Sequence, residues 1–338
     1  MNFSDKIANN ARQVMTAGLA SALGAGMVTM AMMATQAAAQ NYPNRSLRII
    51  VPYSVGGATD ISARIIAPRM SEAMGQQVVV DNRPGGAAII GFDLVAKSPP
   101  DGYTMLLANI AFGANTALFK KLPFNVETDF DPLTFVAVVP TVLVVHPSVS
   151  VRSLKELIAL AKARPGQINY GSAGMASANH LTTEVFKSMT GLNLVHVPYK
   201  GGGPAVTDLV AGQINVMFAT IPSSIQHVRN KRLIPLGVSS KKRSAAMPEM
   251  ATLDELGVKG FDVNEWQGIF VPARTLPAAI DRLHKEATGA LGHPDTKERM
   301  IGLGADVIAS TPQELAAHLR SELARWAKVS KEANIKVD

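Results

Sequence analysis

Apolar residues in this chain fall into short runs separated by longer stretches with helical spacing. Leu47-Arg48-Ile49-Ile50-Val51 is the first run, and others follow at 77–80, 103–107, 136–145, 168–170, 194–197, 214–218 and 233–238. Each is predicted as a strand, because Val, Ile, Leu and aromatic residues dominate it and turn residues bound it. Strands that alternate with helices predict an α/β fold with parallel sheets.

The helix boundaries are marked by residue type. Ser153-Leu154-Lys155-Glu156 has the spacing of a capping box, and the pattern it opens stops at Arg164-Pro165-Gly166. Thr311-Pro312-Gln313-Glu314 opens a second such helix, with Pro at its first position. Leu315, Leu319, Leu323 and Trp326 then form an apolar stripe that belongs to the core. The helix after Asp60 runs to Gly75 and contains Pro68, which predicts a kink or break there.

The first forty residues have the character of an address. Lys6 and Arg12 precede a small and apolar stretch over 14–34, and Ala37 and Ala39 meet the small-x-small rule of signal peptidase. Residues 1–39 are therefore predicted to be a cleavable signal peptide, with an uncleaved helical anchor as the alternative. No later stretch reaches the roughly twenty apolar residues of a membrane span. The expected location is periplasmic.

Composition narrows the chemistry. At 47% hydrophobic and 17% charged over 338 residues, the chain has ample material for a core of about two domains. Its net charge of +7 is scattered, the densest run being Lys241-Lys242-Arg243, and aromatics are only 5%, so no nucleic-acid partner is expected. There is no cysteine, which excludes disulfides, thiolate catalysis and Cys-based metal sites. The seven histidines show no close ligand spacing. No metal and no cofactor are expected.

Three glycine-rich segments each join a predicted strand to a predicted helix: 52–60, 171–180 and 198–205. A fourth turn lies at 82–87. Glycine allows close backbone approach to a ligand, and the first helical turn presents N–H groups and partial positive charge. Such junctions favour an anion. The Walker pattern and the dinucleotide fingerprint are missing, and Ser172 lies in Gly-Ser-Ala-Gly rather than in a hydrolase elbow. Ser172 with His180 makes a weak nucleophile pair, since no orienting carboxylate is suggested nearby. A carboxylate is the best-fitting anion. Asp60 reads mainly as a capping or bracing residue, Arg83 as a brace for its turn, and Lys200 as mainly solvent-facing.

These segments, together with 98–104, 211–214, 239–257, Trp266-Gln267-Gly268 and Val271-Pro272-Ala273, resemble the Bug or tripartite tricarboxylate transporter receptor (TctC-like) family of extracytoplasmic solute-binding proteins. The match runs in order along the whole chain after the leader. It implies a type II periplasmic-binding-protein fold, with two Rossmann-like lobes joined by two crossover strands near 138–143 and 261–267. Lobe 1 would comprise 40–138 with 264–338, and lobe 2 would comprise 139–263. A small carboxylate (a di- or tricarboxylate, an amino acid or an aromatic carboxylate) would be held between the lobes through backbone groups rather than Arg. Carried over by position, Ser54, Val55, Gly57, Ala58, Thr59 and Asp60 belong to the first wall. Ser172, Ala173, Ser177 and His180 belong to the second, with Tyr199, Gly201 and Gly202. The chain departs from the family pattern at Tyr53, Val55, Ala176 and Asn109-Ile110-Ala111, the last where the distal end of a ligand would lie. The implied partners are a membrane transporter or the extracytoplasmic domain of a sensor kinase, with the protein a monomer and no catalytic residue. From the residues alone, an exported two-lobed hydrolase or transferase and a surface interaction module remain open as alternatives.

Overall fold

The computed structural model describes residues 42–302, 304–333 and 335. The predicted signal peptide lies outside them. Eleven strands form two sheets in the described residues.

The first sheet contains β1 (Leu47–Val51), β2 (Val78–Asn82), β3 (Thr104–Asn109), β4 (Phe130–Val139), β10 (Glu265–Pro272) and the short β11 (Asp306–Val307), in the order β11-β4-β10-β3-β1-β2. The second contains β5 (Thr141–Val145), β6 (Asn169–Ser172), β7 (Val195–Pro198), β8 (Val216–Thr220) and β9 (Ile234–Val238), in the order β7-β6-β8-β5-β9. β1 pairs in parallel with β2 and β3, as β6 does with β7 and β8. The sheets are mixed rather than parallel throughout, because β10 runs antiparallel to β3 and β4, and β5 runs antiparallel to β8 and β9.

The apolar run at 136–145 is two strands in two sheets. Pro140 separates them, since it has no N–H to continue a ladder. β4 pairs with β10 up to Val139, and from Thr141 the chain pairs with β8. The return path joins β9 to β10, so the chain passes between the sheets twice.

Helices follow most strands: α1 (Ala58–Met74), α2 (Ile89–Ala96), α3 (Ala111–Leu118), α4 (Leu154–Ala163), α5 (Ala178–Thr190), α6 (Gly202–Val210), α7 (Ile221–Arg229), α8 (Pro277–Gly292), α9 (Pro294–Gly302) and α10 (Pro312–Glu332). Ser153 accepts a hydrogen bond from Glu156 N, and Thr311 with Glu314 completes a capping box. α1 continues through Pro68 without the expected break. Its buried face, with Ala63, Ile65, Ile66, Ala67 and Met70, packs on β1, β2 and α8, and tertiary packing outweighs the lost backbone bond.

Each sheet has its own core. Leu47, Ile49, Ile50 and Val51 are buried in the first, beside edge-to-face pairs of Phe92 with Phe112 and of Phe112 with Phe130. Leu315, Leu319 and Trp326 of α10 are buried as the stripe predicts, and Glu322 accepts from both Trp266 Nε1 (3.0 Å) and Trp326 Nε1 (3.1 Å). Val142, Val144, Leu209, Met217 and Ile225 are among the core of the second. Burying each such side chain contributes roughly 1.5–3 kcal/mol.

Candidate functional site

The ends of β1, β6, β7 and β8 lead directly into helices, and those helix starts face one another. The small cavity between them, about 20 Å³, is lined by Tyr53, Gly57, Ala58, Thr59, Asn109 and Glu265 from the first sheet's side, and by Ala173, Ser177, Ala178, Asn179, Gly202 and Thr220 from the second. α1, α6 and α7 start at Gly57, Gly201 and Thr220, none of which caps its helix with a side chain. Four positive helix ends therefore meet on one cavity, an arrangement suited to an anion. No Lys, Arg or His side chain lines it among the described residues.

The walls touch at their rims. Ser54 Oγ donates to the Lys200 carbonyl at 2.6 Å, and Ser54 N donates to the same oxygen at 3.3 Å. A Cβ on Gly201 would lie 2.8 Å from Ser54 Cβ, and one on Gly203 would lie 2.6 Å from the Val55 carbonyl oxygen. Only glycine permits this approach. Gly56 holds φ +88°, which turns the chain from β1 into α1. Val55 stands at the rim, 60% exposed.

Of the residues singled out in the sequence, Gly57, Ala58, Thr59, Ala173, Ser177 and Gly202 lie on the cavity wall. Ser54, Val55 and Gly201 form the rim contacts. Asp60, Ser172, His180 and Tyr199 lie behind the wall. Asp60 accepts from Gly56 N (3.0 Å), Arg64 Nε (3.0 Å) and Asn82 Nδ2 (3.0 Å), and so braces the first loop. Tyr199 donates to Asp208 (2.7 Å); burial and then that carboxylate push its phenol up to about 12. Arg83 pairs with Asp81 at 2.8 Å and holds its own turn. Ala176 is buried with φ +57° and is not part of the wall.

The partner of Ser172 is His196, whose Nε2 lies 2.6 Å from the hydroxyl; His180 instead accepts from Ala176 N at its Nδ1 (3.2 Å). The His196 ring stacks between Tyr170 and His180, at 4.7 and 4.4 Å. Burial lowers His180 to about 4 and His196 to about 3, so both are neutral near pH 7. Ser172 is fully buried and does not line this cavity, which makes the group a polar brace rather than a nucleophile.

Ala178, Asn179, Thr220 and Glu265 line the cavity without having been singled out, and Tyr53 and Asn109, noted only as departures from the family pattern, line it too. Thr220 had a readable signal: it ends a strand and precedes Ile221-Pro222, and Pro in the first turn marks a helix start. Glycine content alone does not find that junction. Asn179 accepts from Ala173 N (3.3 Å) and donates to the Phe218 carbonyl (2.5 Å), which ties the loop after β6 to β8. Tyr53 donates to Asn109 Oδ1 at 3.0 Å, and burial raises its phenol far above the ordinary value. Glu265 begins β10, is 4% exposed, and accepts from Thr59 Oγ1 (3.2 Å) and Gln267 Nε2 (3.0 Å). Among the described residues no group of side chains is arranged to hold a metal, and no helix is long and apolar enough to cross a membrane.

Comparison with known proteins agrees with this architecture. The family model described as "Tripartite tricarboxylate transporter family receptor" (TctC) matches residues 62–335. Protein BugT of Bordetella pertussis is 36% identical over 312 residues, covering 92% of this chain and 96% of BugT. The structure of the periplasmic binding protein BugD superposes with a TM-score of 0.85 at 33% identity, covering 87% of this chain and 99% of BugD. R. palustris Rpa4515 with adipate superposes with a TM-score of 0.85 at 35% identity, covering 88% of this chain and 99% of Rpa4515. The matched family is one of transport receptors, and BugD is a periplasmic binding protein. The chain is a member of the tripartite tricarboxylate transporter receptor family, the Bug or TctC group of periplasmic solute-binding proteins.

Proposed function

We propose that this protein is exported to the periplasm, loses residues 1–39, and captures a small carboxylate by closure of two lobes, 40–138 with 264–338 and 139–263. The observation that carries the reading is the meeting of four helix N-termini on one cavity that has no cationic side chain among the described residues. Such a site suits one carboxylate held by backbone N–H groups at Gly57, Ala58, Thr59 and Gly202 and by the Ser177 turn. Adipate bound to Rpa4515 supports that ligand class. Micromolar capture needs about −8 kcal/mol, within reach of several charge-assisted hydrogen bonds plus burial of the ligand body. Differential affinity for the open and closed forms drives closure. The closed protein, a monomer, then delivers its solute to the membrane components of a tripartite transporter or to a sensor's extracytoplasmic domain.

The test is thermal-shift screening of the purified protein against mono-, di- and aromatic carboxylates, followed by calorimetry on each hit. A hit should lose at least a hundredfold in affinity in Gly57→Trp, whose indole fills the cavity. Unchanged affinity in that variant removes the site assignment. Turnover of a bound carboxylate would instead favour an enzyme.

A further inference from the structure

The cavity wall carries two unlike kinds of group. Helix starts at Gly57, Ser177 and Gly202 supply N–H donors. Beside them stands Glu265, the one carboxyl on the wall among the described residues, bonded to the Thr59 hydroxyl in the first turn of α1. The other buried acid nearby, Asp60, is compensated by Arg64 and turned away from the cavity. Glu265 has no ion pair among the described residues: its near neighbours are the Thr59 hydroxyl, the Gln267 amide and Asn109, all donors. Gln267, two positions on and on the same face of β10, is fully buried and leaves its Oε1 without a partner.

These three side chains can each donate to an ionised carboxylate, and no cation among the described residues competes for it. Burial without a cation opposes that ionised form and raises the pKa of the group, while the three donors pull it down. A cation in the cavity would complete the set. A second carboxylate there would meet Glu265 with no positive side chain to separate them, and could bind only if a proton were held between the two.

Resting on the carboxylate reading above, we propose that Glu265 makes the cavity select amine-bearing carboxylic acids: the carboxylate sits at the helix starts and the ammonium group donates to Glu265. A dicarboxylate of equal length is disfavoured.

The experiment compares three length-matched classes of ligand, unsubstituted monocarboxylates, dicarboxylates and amino-carboxylates, from three to six carbons. Each is screened by thermal shift and then by calorimetry at pH 7.5 on the wild-type protein, Glu265→Gln and Gly57→Trp. The expected result is that the tightest ligands are amino-carboxylates, by tenfold or more over their matched dicarboxylates. Glu265→Gln should lower their affinity at least tenfold and raise that of the dicarboxylates, so that the order reverses. Tightest binding by dicarboxylates or monocarboxylates, with the order unchanged in Glu265→Gln, overturns the selectivity and leaves the carboxylate site standing. Binding by no carboxylate of any class, or binding that Gly57→Trp leaves intact, overturns both readings. A Glu265→Gln protein that fails to fold is replaced by Glu265→Asp, which keeps the charge but withdraws it by one methylene. It should keep the order and weaken the preference severalfold, and an unweakened preference in that variant counts against Glu265.

Discussion

Two helix starts on opposite sides of the cavity differ in what they leave available. α1 begins at Gly57, which has no side chain to accept from the first-turn N–H groups, and the nearest acid, Asp60, is drawn back onto Gly56, Arg64 and Asn82. α5 begins at Ser177, whose hydroxyl accepts from His180 N (3.4 Å) and donates to the Gly174 carbonyl (2.7 Å). Behind Ser177 lies the buried stack of Tyr170, His196 and His180. The first start keeps donors free for a guest; the second spends its polar groups on holding its own shape. The capture by closure proposed above would benefit from that division, because a positioned wall loses less freedom when the guest arrives.

The division is broken most severely at the rim. Gly203→Val places a branched side chain where even a Cβ would lie 2.6 Å from the Val55 carbonyl oxygen, and backbone cannot yield as a flexible side chain would. Affinity for any ligand found by screening should fall a thousandfold or more, with a larger radius of gyration by X-ray scattering. The ligand-free Tm should move by no more than about 2 °C, since the clash is relieved by opening rather than unfolding. Gly57→Ala is the control: its Cβ would meet nothing nearer than 3.7 Å, so the loss should be only a few-fold.

The braced wall breaks through its histidines. His180 and His196 are lowered to about 4 and about 3, burial being the first cause in each. Both are neutral in the folded and unfolded chain above the unfolded value near 6.5, so stability is fully present at neutral pH. Below 6.5 the unfolded chain takes up protons that the folded one refuses, so stability falls as pH drops toward 4 and then 3. For His180 the loss is on the order of 3 kcal/mol by pH 4. Chemical denaturation at pH 7, 5.5 and 4.5 should show it, and His180→Gln should flatten the slope. An equal slope in that variant would place the acid sensitivity elsewhere.

The free wall is more weakly perturbed from behind. Arg64→Ala removes the cation paired with Asp60, whose side chain is 2% exposed, while leaving its bonds to Gly56 N and Asn82. Arg64 itself is half exposed, so the stability cost should be only about 1 kcal/mol. Calorimetry should also show carboxylate affinity weakened severalfold, because the Asp60 charge then stands unscreened at the helix end where the guest docks.

What was legible in the sequence followed local rules. β1, the Thr311 capping box and the α10 stripe depend on residues a few positions apart, and each appears where its spacing places it; at Ser153 the N-cap forms, but Glu156 Oε2 accepts from Arg152 N instead of closing the box. The glycine-rich junctions could be read as helix starts for the same reason. What was not legible depends on contacts distant in sequence. Glu265 reaches the cavity because β10 returns to the first sheet beside β3; the resemblance implies a crossover near 261–267, but no local pattern puts this side chain on the cavity wall. The union of Ser172 with His196 needs β6 and β7 to pair in register, Tyr170 opposite His196. Continuity of α1 through Pro68 is likewise a matter of packing against distant elements, which propensity cannot report.

The smallest expected effect separates closing from binding. Ser54 touches the opposite wall through two bonds to one carbonyl, from its hydroxyl at 2.6 Å and its backbone N–H at 3.3 Å, and it does not line the cavity. Ser54→Ala removes the hydroxyl bond alone and should cost about 1 kcal/mol in the closed form, or roughly fivefold in the ratio of closed to open protein. Apparent affinity should weaken by about the same factor, since binding draws on the closed population. The guest meets the open form first, so the loss should lie in faster release, with the association rate unchanged. Stopped-flow measurement of both rates with any ligand found by screening decides the matter. A loss confined to association would make Ser54 part of the docking surface, and the distinction between rim and wall would have to be redrawn around it.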